Sequence, residues 1–147
     1  MSFSFLLVVG SLALGAQDFT SDSPSNAKPP VSETDIRIVQ RARKILTSPA
    51  KWNRADDRKC PATQKTYSLY CALEKATVEL SEKFEHRGAA MQEARFVIDE
   101  VLARGNHYEH RLRDFNNDPK TTFAVTQRFF DLVEERIKKR LATKLHQ

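Results

Sequence analysis

From Ser32 to the end of the chain, apolar residues recur at spacings of three and four, and no stretch of useful length alternates apolar with polar. That period places the apolar side chains on one side of successive α-helices and leaves no strand pattern, so an all-α domain is expected. The widest stripe is the last. Phe123, Thr126, Phe130, Val133, Ile137, Leu141 and Leu145 share a face, and Val125, Phe129 and Leu132 widen its first half. Glu134, Glu135, Arg136, Lys138, Lys139 and Arg140 fill the other side. A stripe this wide faces a core, and the basic residues near its end suit the negative pole of a helix. The segment that launches it, Phe115-Asn116-Asn117-Asp118-Pro119-Lys120-Thr121-Thr122, reads as a turn. Asn and Asp side chains bond nearby backbone, Pro119 keeps Asp118 out of the helical region, and Thr122 is placed to cap the helix.

Three earlier helices follow from the same pattern. Ser32 with Asp35 forms a capping-box start, and Ile36, Val39, Ala42, Ile45 and Leu46 give the buried face until Thr47-Ser48-Pro49 stops the helix. Trp52 in the exit turn is expected to fold back as a core plug. Residues 53–65 form a polar loop. Thr66 is the expected cap of a second helix that buries Leu69, Tyr70, Leu73, Ala76, Thr77 and Leu80. Residues 84–88 are a break. A third helix over about 89–103 buries Ala90, Ala94, Val97, Ile98, Val101 and Leu102 and ends at Gly105-Asn106. Residues 107–114 add at most a short helical turn around Tyr108 and Leu112. The expected architecture is a single compact bundle of about four main helices over residues 35–147.

The chain begins differently. Phe3, Phe5, Leu6, Leu7, Val8, Val9, Leu12, Ala13 and Leu14 form an apolar block that ends in Gly15 and Ala16. It is too short to span a bilayer and reads as a signal peptide over residues 1–16, although no Lys or Arg precedes it. Residues 17–34, with Pro24, Pro29 and Pro30 among Ser, Asp, Asn and Lys, read as a flexible linker. The mature chain is then expected to be periplasmic or secreted, with no transmembrane helix. A misassigned start would leave it cytoplasmic.

Charge and reactive residues narrow the function. Lys and Arg number 24 against 19 Asp and Glu, with a local excess at Arg37, Arg41, Arg43, Lys44, Lys51, Arg54, Arg58 and Lys59. This suits a protein partner or an anionic surface. It argues against nucleic acid, because no aromatics interleave the charges as a stacking platform requires. Cys60 and Cys71, the only cysteines, either pair in an oxidising compartment or remain free thiols with Cys71 buried as a small apolar residue. His107 and His110 lie three apart but have no third ligand at a recognised spacing, so they read as surface histidines rather than a metal site. No phosphate-cradling glycine loop, serine elbow or zinc-type cysteine set appears among four glycines and two cysteines, so no cofactor is indicated.

Trp52 after the first helix, Cys71-Ala72-Leu73 within the second, and Phe115-Asn116-Asn117-Asp118-Pro119 leading through Thr122 to a final amphipathic helix together resemble the bacterial family DUF6197. The resemblance spans about Ile36 to Ile137. It implies a small helical fold and brings no established activity. Three functional readings stay open. The first is an exported binding or structural module that meets its partner in a groove near Trp52, His107 and His110. The second is a hydrolase-like enzyme built on Asn116, Asn117, Asp118 and Thr122 with His107 or His110. The third is a basic, cytoplasmic, nucleic-acid-associated protein.

Overall fold

The computed structural model describes residues 28–144. The apolar block from Phe3 to Leu14, residues 17–27 of the linker and Leu145 lie outside the described residues. The elements are α1 (Glu33–Ile45), a 3-10 turn (Pro49–Lys51), α2 (Leu69–Ser81), α3 (Ala89–Val97) continuing into a π-helical turn (Ile98–Leu102), α4 (Arg111–Asn117) and α5 (Phe123–Lys144). Among the described residues there is no strand. The all-α expectation holds, with five helices rather than four, because the expected short turn before Asn116 is a helix in its own right.

α1 packs against α2 and α5, α3 packs against α5, and α4 packs under α2. Phe129, Phe130, Val133 and Ile137 of α5 are almost fully buried and meet Leu46, Leu69, Leu73, Met91 and Ile98. Burying each such side chain stabilises the fold by roughly 1.5–3 kcal/mol relative to exposure. Phe129 and Phe130 pack edge-on with centroids 5.2 Å apart, and Phe129 also meets Phe115 at 6.1 Å.

The capping box at α1 is formed. The Ser32 N–H and hydroxyl both donate to Asp35 Oδ2, at 2.8 and 2.7 Å. Asp35 Oδ1 accepts from the Ala90 N–H at 3.1 Å, so the same carboxylate joins the starts of α1 and α3. Just before α1, Val31 is buried, and Arg140 of α5 donates to the Pro29 carbonyl. A buried tie joins α3 and α5: Glu93 is inaccessible and pairs with Arg136 at 2.6 Å and with Arg140.

Several local expectations are corrected. Ser68, not Thr66, caps α2, its hydroxyl accepting from the Cys71 N–H at 3.2 Å. Leu80 is exposed, because α2 ends at Ser81 and its last turn has left the core. Val101 is half exposed. The π turn, closed by the Ala103 N–H on the Ile98 carbonyl at 2.7 Å, inserts a residue and rotates the following positions off the buried face. Phe115, Asn116 and Asn117 are not the launching turn but the last turn of α4. The turn itself is Asp118–Thr121, held by the Thr121 N–H on the Asp118 carbonyl and the Lys120 N–H on Asp118 Oδ1.

Thr122 does cap α5, its hydroxyl accepting from the Val125 N–H at 3.3 Å. Thr122→Ala is expected to cost about 1 kcal/mol, and Pro119→Ala less, acting through the unfolded chain. Denaturant midpoints measure both; equal losses for the two variants would remove the cap from the account of how α5 starts.

Candidate functional site

Asn116 is wholly buried and fully engaged. Its Oδ1 accepts from Trp52 Nε1 at 2.8 Å and from the Leu69 N–H at 3.1 Å, and its Nδ2 donates to the Asn53 carbonyl at 2.9 Å and to Asn117 Oδ1 at 3.0 Å. Asn117 brackets Asp56, accepting from its N–H at 2.8 Å and donating to its carbonyl at 2.9 Å. Asp118 accepts from the Tyr108 hydroxyl at 2.7 Å. That bond, followed by the Lys120 N–H, holds its carboxyl below the usual range. Asn116 and Asn117 knit α4 to the loop before α2, and Asp118 ties the turn after α4 to Tyr108.

Trp52 sits at the same junction. It is 7% exposed, tilts against Phe123 at 6.4 Å and lies under the Arg54 guanidinium at 5.1 Å. A two-bond clasp, Asn53 N–H to the Tyr67 carbonyl and Tyr67 N–H to the Lys51 carbonyl, closes the loop that follows. Cys60 and Cys71 are joined within it, with Cα atoms 5.4 Å apart, tying the loop to α2. Inside the loop Asp56 is buried. Burial pushes its carboxyl above the usual range, and the Arg58 N–H pulls it back. The Ser68 hydroxyl is near enough to help but closes no hydrogen bond to Asp56 Oδ2.

An open cleft lies elsewhere. Its volume is about 630 Å³, and it lies between the loop from 86 to 88, α3 with its π turn, residues 106–110 and the start of α4. His107 and His110 line it; Trp52, Asn116, Asn117 and Asp118 do not. Among the described residues no group of three or more His, Cys, Asp or Glu side chains gathers in metal-binding fashion.

The cleft is strongly basic. Arg58, Arg87, Arg95, Arg111 and Arg113 line it with His86, His107 and His110, against only Asp99 and Glu109. Asp99 is paired with Arg111 at 2.8 Å, and Arg113 with Asp114 at 2.7 Å. Arg95 is different. It is partly buried, burial pushes its pKa down, and it forms no ion pair among the described residues. Its Nη1 donates to the His86 carbonyl at 2.9 Å and to Gln92 Oε1 at 2.5 Å, and its Nη2 faces His86 Nε2 at 3.1 Å. Arginine can only donate, so that ring nitrogen must carry the lone pair. Burial, then Arg95, Arg87 and Arg58 in turn, hold the His86 pKa below its usual value. The Tyr70 hydroxyl lies 3.4 Å from His86 Nδ1, and burial followed by nearby Glu74 pushes its pKa up.

Most of this cleft escaped the sequence. The basic stretch from Arg37 to Lys59 attracts attention but is dispersed: Arg41 pairs with Glu79, Arg43 with Asp131, and Arg54 binds the Pro119 and Thr121 carbonyls. Only Arg58 of that stretch reaches the cleft. Two compact signals were available, His86-Arg87 in the break before α3 and the run from His107 to Arg113. Their meeting depends on how α3 and α4 pack.

The model of a family described as a family of unknown function, DUF6197, matches residues 30–136. The match covers most of the chain, and the chain belongs to that family. No curated protein and no solved structure matches it.

Proposed function

We propose that this DUF6197 family member is an exported binding module that takes an anionic partner at the cleft between α3 and α4. The observation that carries this reading is the sign of the cleft: five arginines and three histidines against two carboxylates, around a partly buried arginine that has no acid beside it. A partly desolvated cation without a counter-ion is costly, and an anion arriving from solution relieves that cost. Asn116 and Asn117, engaged in holding the loop before α2, and Asp118, bonded to Tyr108, are architecture in this reading.

Export is supported by the apolar block from Phe3 to Leu14 and by the Cys60–Cys71 link, since disulfides persist where the surroundings are oxidising. No helix among the described residues is long and apolar enough to cross a membrane.

The test joins both halves. Intact mass of protein from its native compartment should show loss of about 16 residues and no free thiol under denaturing conditions. In-cell cross-linking should recover a partner that Arg58→Glu combined with His107→Glu loses, both substitutions lying on exposed cleft positions. The same partner retained by that double variant, but lost on charge reversal at Arg37 and Lys44 of α1, would move binding away from the cleft and overturn the reading.

A further inference from the structure

Within that reading, and resting on it, we propose that the corner formed by His86 and Arg95 binds a compact dianion of the phosphate class, as free phosphate or as the phosphate of a small monoester. Three observations converge on this corner. The Arg95 guanidinium is already oriented, two of its N–H groups tied to the His86 carbonyl and Gln92 Oε1, so little side-chain freedom is lost when a ligand arrives. Two neighbouring acids are engaged elsewhere: Asp99 with Arg111, and Glu85 with Lys83 at 2.7 Å. The field is concentrated, because Arg58 from the loop before α2, Arg87 from the loop before α3, and Arg95 from α3 all act on one ring.

Geometry and charge favour a doubly charged oxyanion over a carboxylate. Arginine presents donors in a planar fork that matches phosphate oxygens, and several cations around one point are better balanced by two charges than by one. The Tyr70 hydroxyl adds a neutral donor on the far side of His86. The cleft is large enough for a small monoester, and its lining is dominated by charged and polar groups, which offers no bed for a long apolar chain.

A seated dianion changes His86. The groups facing that ring are Tyr70 of α2, with Glu74 behind it, Arg95 of α3, Arg87 and Phe84 of its own loop, and Arg58 of the disulfide loop. With the ligand absent, burial first and then the positive groups disfavour the imidazolium. With a dianion seated beside them, its charge offsets the arginines, and His86 can take up a proton and turn from acceptor to donor, giving up its bond from Arg95 Nη2. Binding therefore takes up a proton and tightens as the pH falls through the range in which His86 titrates.

The experiment is calorimetric titration of the whole protein with inorganic phosphate, O-phosphoserine, sulfate and acetate. The three oxyanions should bind at one site, and acetate at least about tenfold more weakly. Phosphate tighter than phosphoserine identifies the free ion as ligand, and the reverse order a monoester. Arg95→Gln should weaken phosphate at least about tenfold, Arg95→Lys should weaken it less, and Arg43→Gln, outside the cleft lining and paired with Asp131, should leave it unchanged. Sulfate keeps its charge across the range, so its affinity should rise several-fold from about pH 8 to about pH 6, and His86→Asn should flatten that rise. Folding of each variant is checked by circular dichroism. Equal affinities for acetate and phosphate, or an Arg95→Gln protein that is folded and binds phosphate like wild type, would overturn the assignment. Partner capture separates the two levels. If phosphate binding fails but Arg58→Glu with His107→Glu still loses the native partner, the basic cleft stands as the partner surface without the phosphate corner; if Arg95-dependent phosphate binding is found but the partner is retained, the corner stands and the partner reading falls.

Discussion

Asn116→Ala is expected to lower stability by about 3–5 kcal/mol, read from denaturant midpoints. The amide is inaccessible and makes four hydrogen bonds, two of them accepted from buried donors, Trp52 Nε1 and the Leu69 N–H. Each buried polar group left without a partner costs roughly 1–3 kcal/mol, and truncation orphans three: those two donors and the Asn53 carbonyl. The individual costs overlap, because all three groups meet one side chain and relax together, so the total falls below their sum. Trp52 loses its anchor, and the clasp between residues 51 and 67 loosens with it. The variant also separates two roles for Asn116 within one measurement: an asparagine placed for chemistry could be truncated at little cost to the fold. A midpoint within experimental error of wild type would detach Asn116 from the architecture and reopen the turn as a reactive element.

Phe130→Ala is expected to cost about 3–5 kcal/mol, through lost burial and the cavity left behind. Phe130 is 1% exposed, stacks edge-on with Phe129 and lies where α5 meets the rest of the core. The surrounding residues are on different helices and cannot all close on the gap, so the cavity penalty persists. Compared with the roughly 1 kcal/mol expected for the Thr122 cap, the ordering is core anchor, then cap. An Ala at this position that proved nearly neutral would mean that the stripe from Phe123 to Leu141 does not face the core.

The pattern along the chain was enough for helices with wide apolar stripes. α5 has an apolar face that repeats over 22 residues, so the period alone assigns its buried side. α1 was equally readable, because the Ser32–Asp35 box marks its start and Thr47-Ser48-Pro49 its stop. The misses have local physical causes. Thr66 and Ser68 are both competent caps, and the choice of Ser68 follows from where the Trp52–Tyr67 clasp ends. Val101 fits a regular helical face, and only an inserted residue in the π turn turns it outward. Asn116 and Asn117 carry turn-forming side chains, yet here those side chains bond distant backbone and free their own residues to finish α4.

What the sequence by itself determined is what depends on neighbours along the chain: the all-helical class, the faces of α1 and α5, the capping of both, and membership of a fold carried by Trp52, Cys71 and the Asn-Asp-Pro turn. These follow from periodicity and short-range hydrogen bonding, which act within a few residues. What only the tertiary structure decided is the basic cleft. Arg58, His86, Arg95 and the run from His107 to Arg113 come from four separate segments, each unremarkable by its own charge. Their electrostatic meaning arises when helix packing gathers them around one cleft and leaves Arg95 partly desolvated with no ion pair among the described residues. A Coulomb field depends on distance through space, and no spacing along the chain reports that distance.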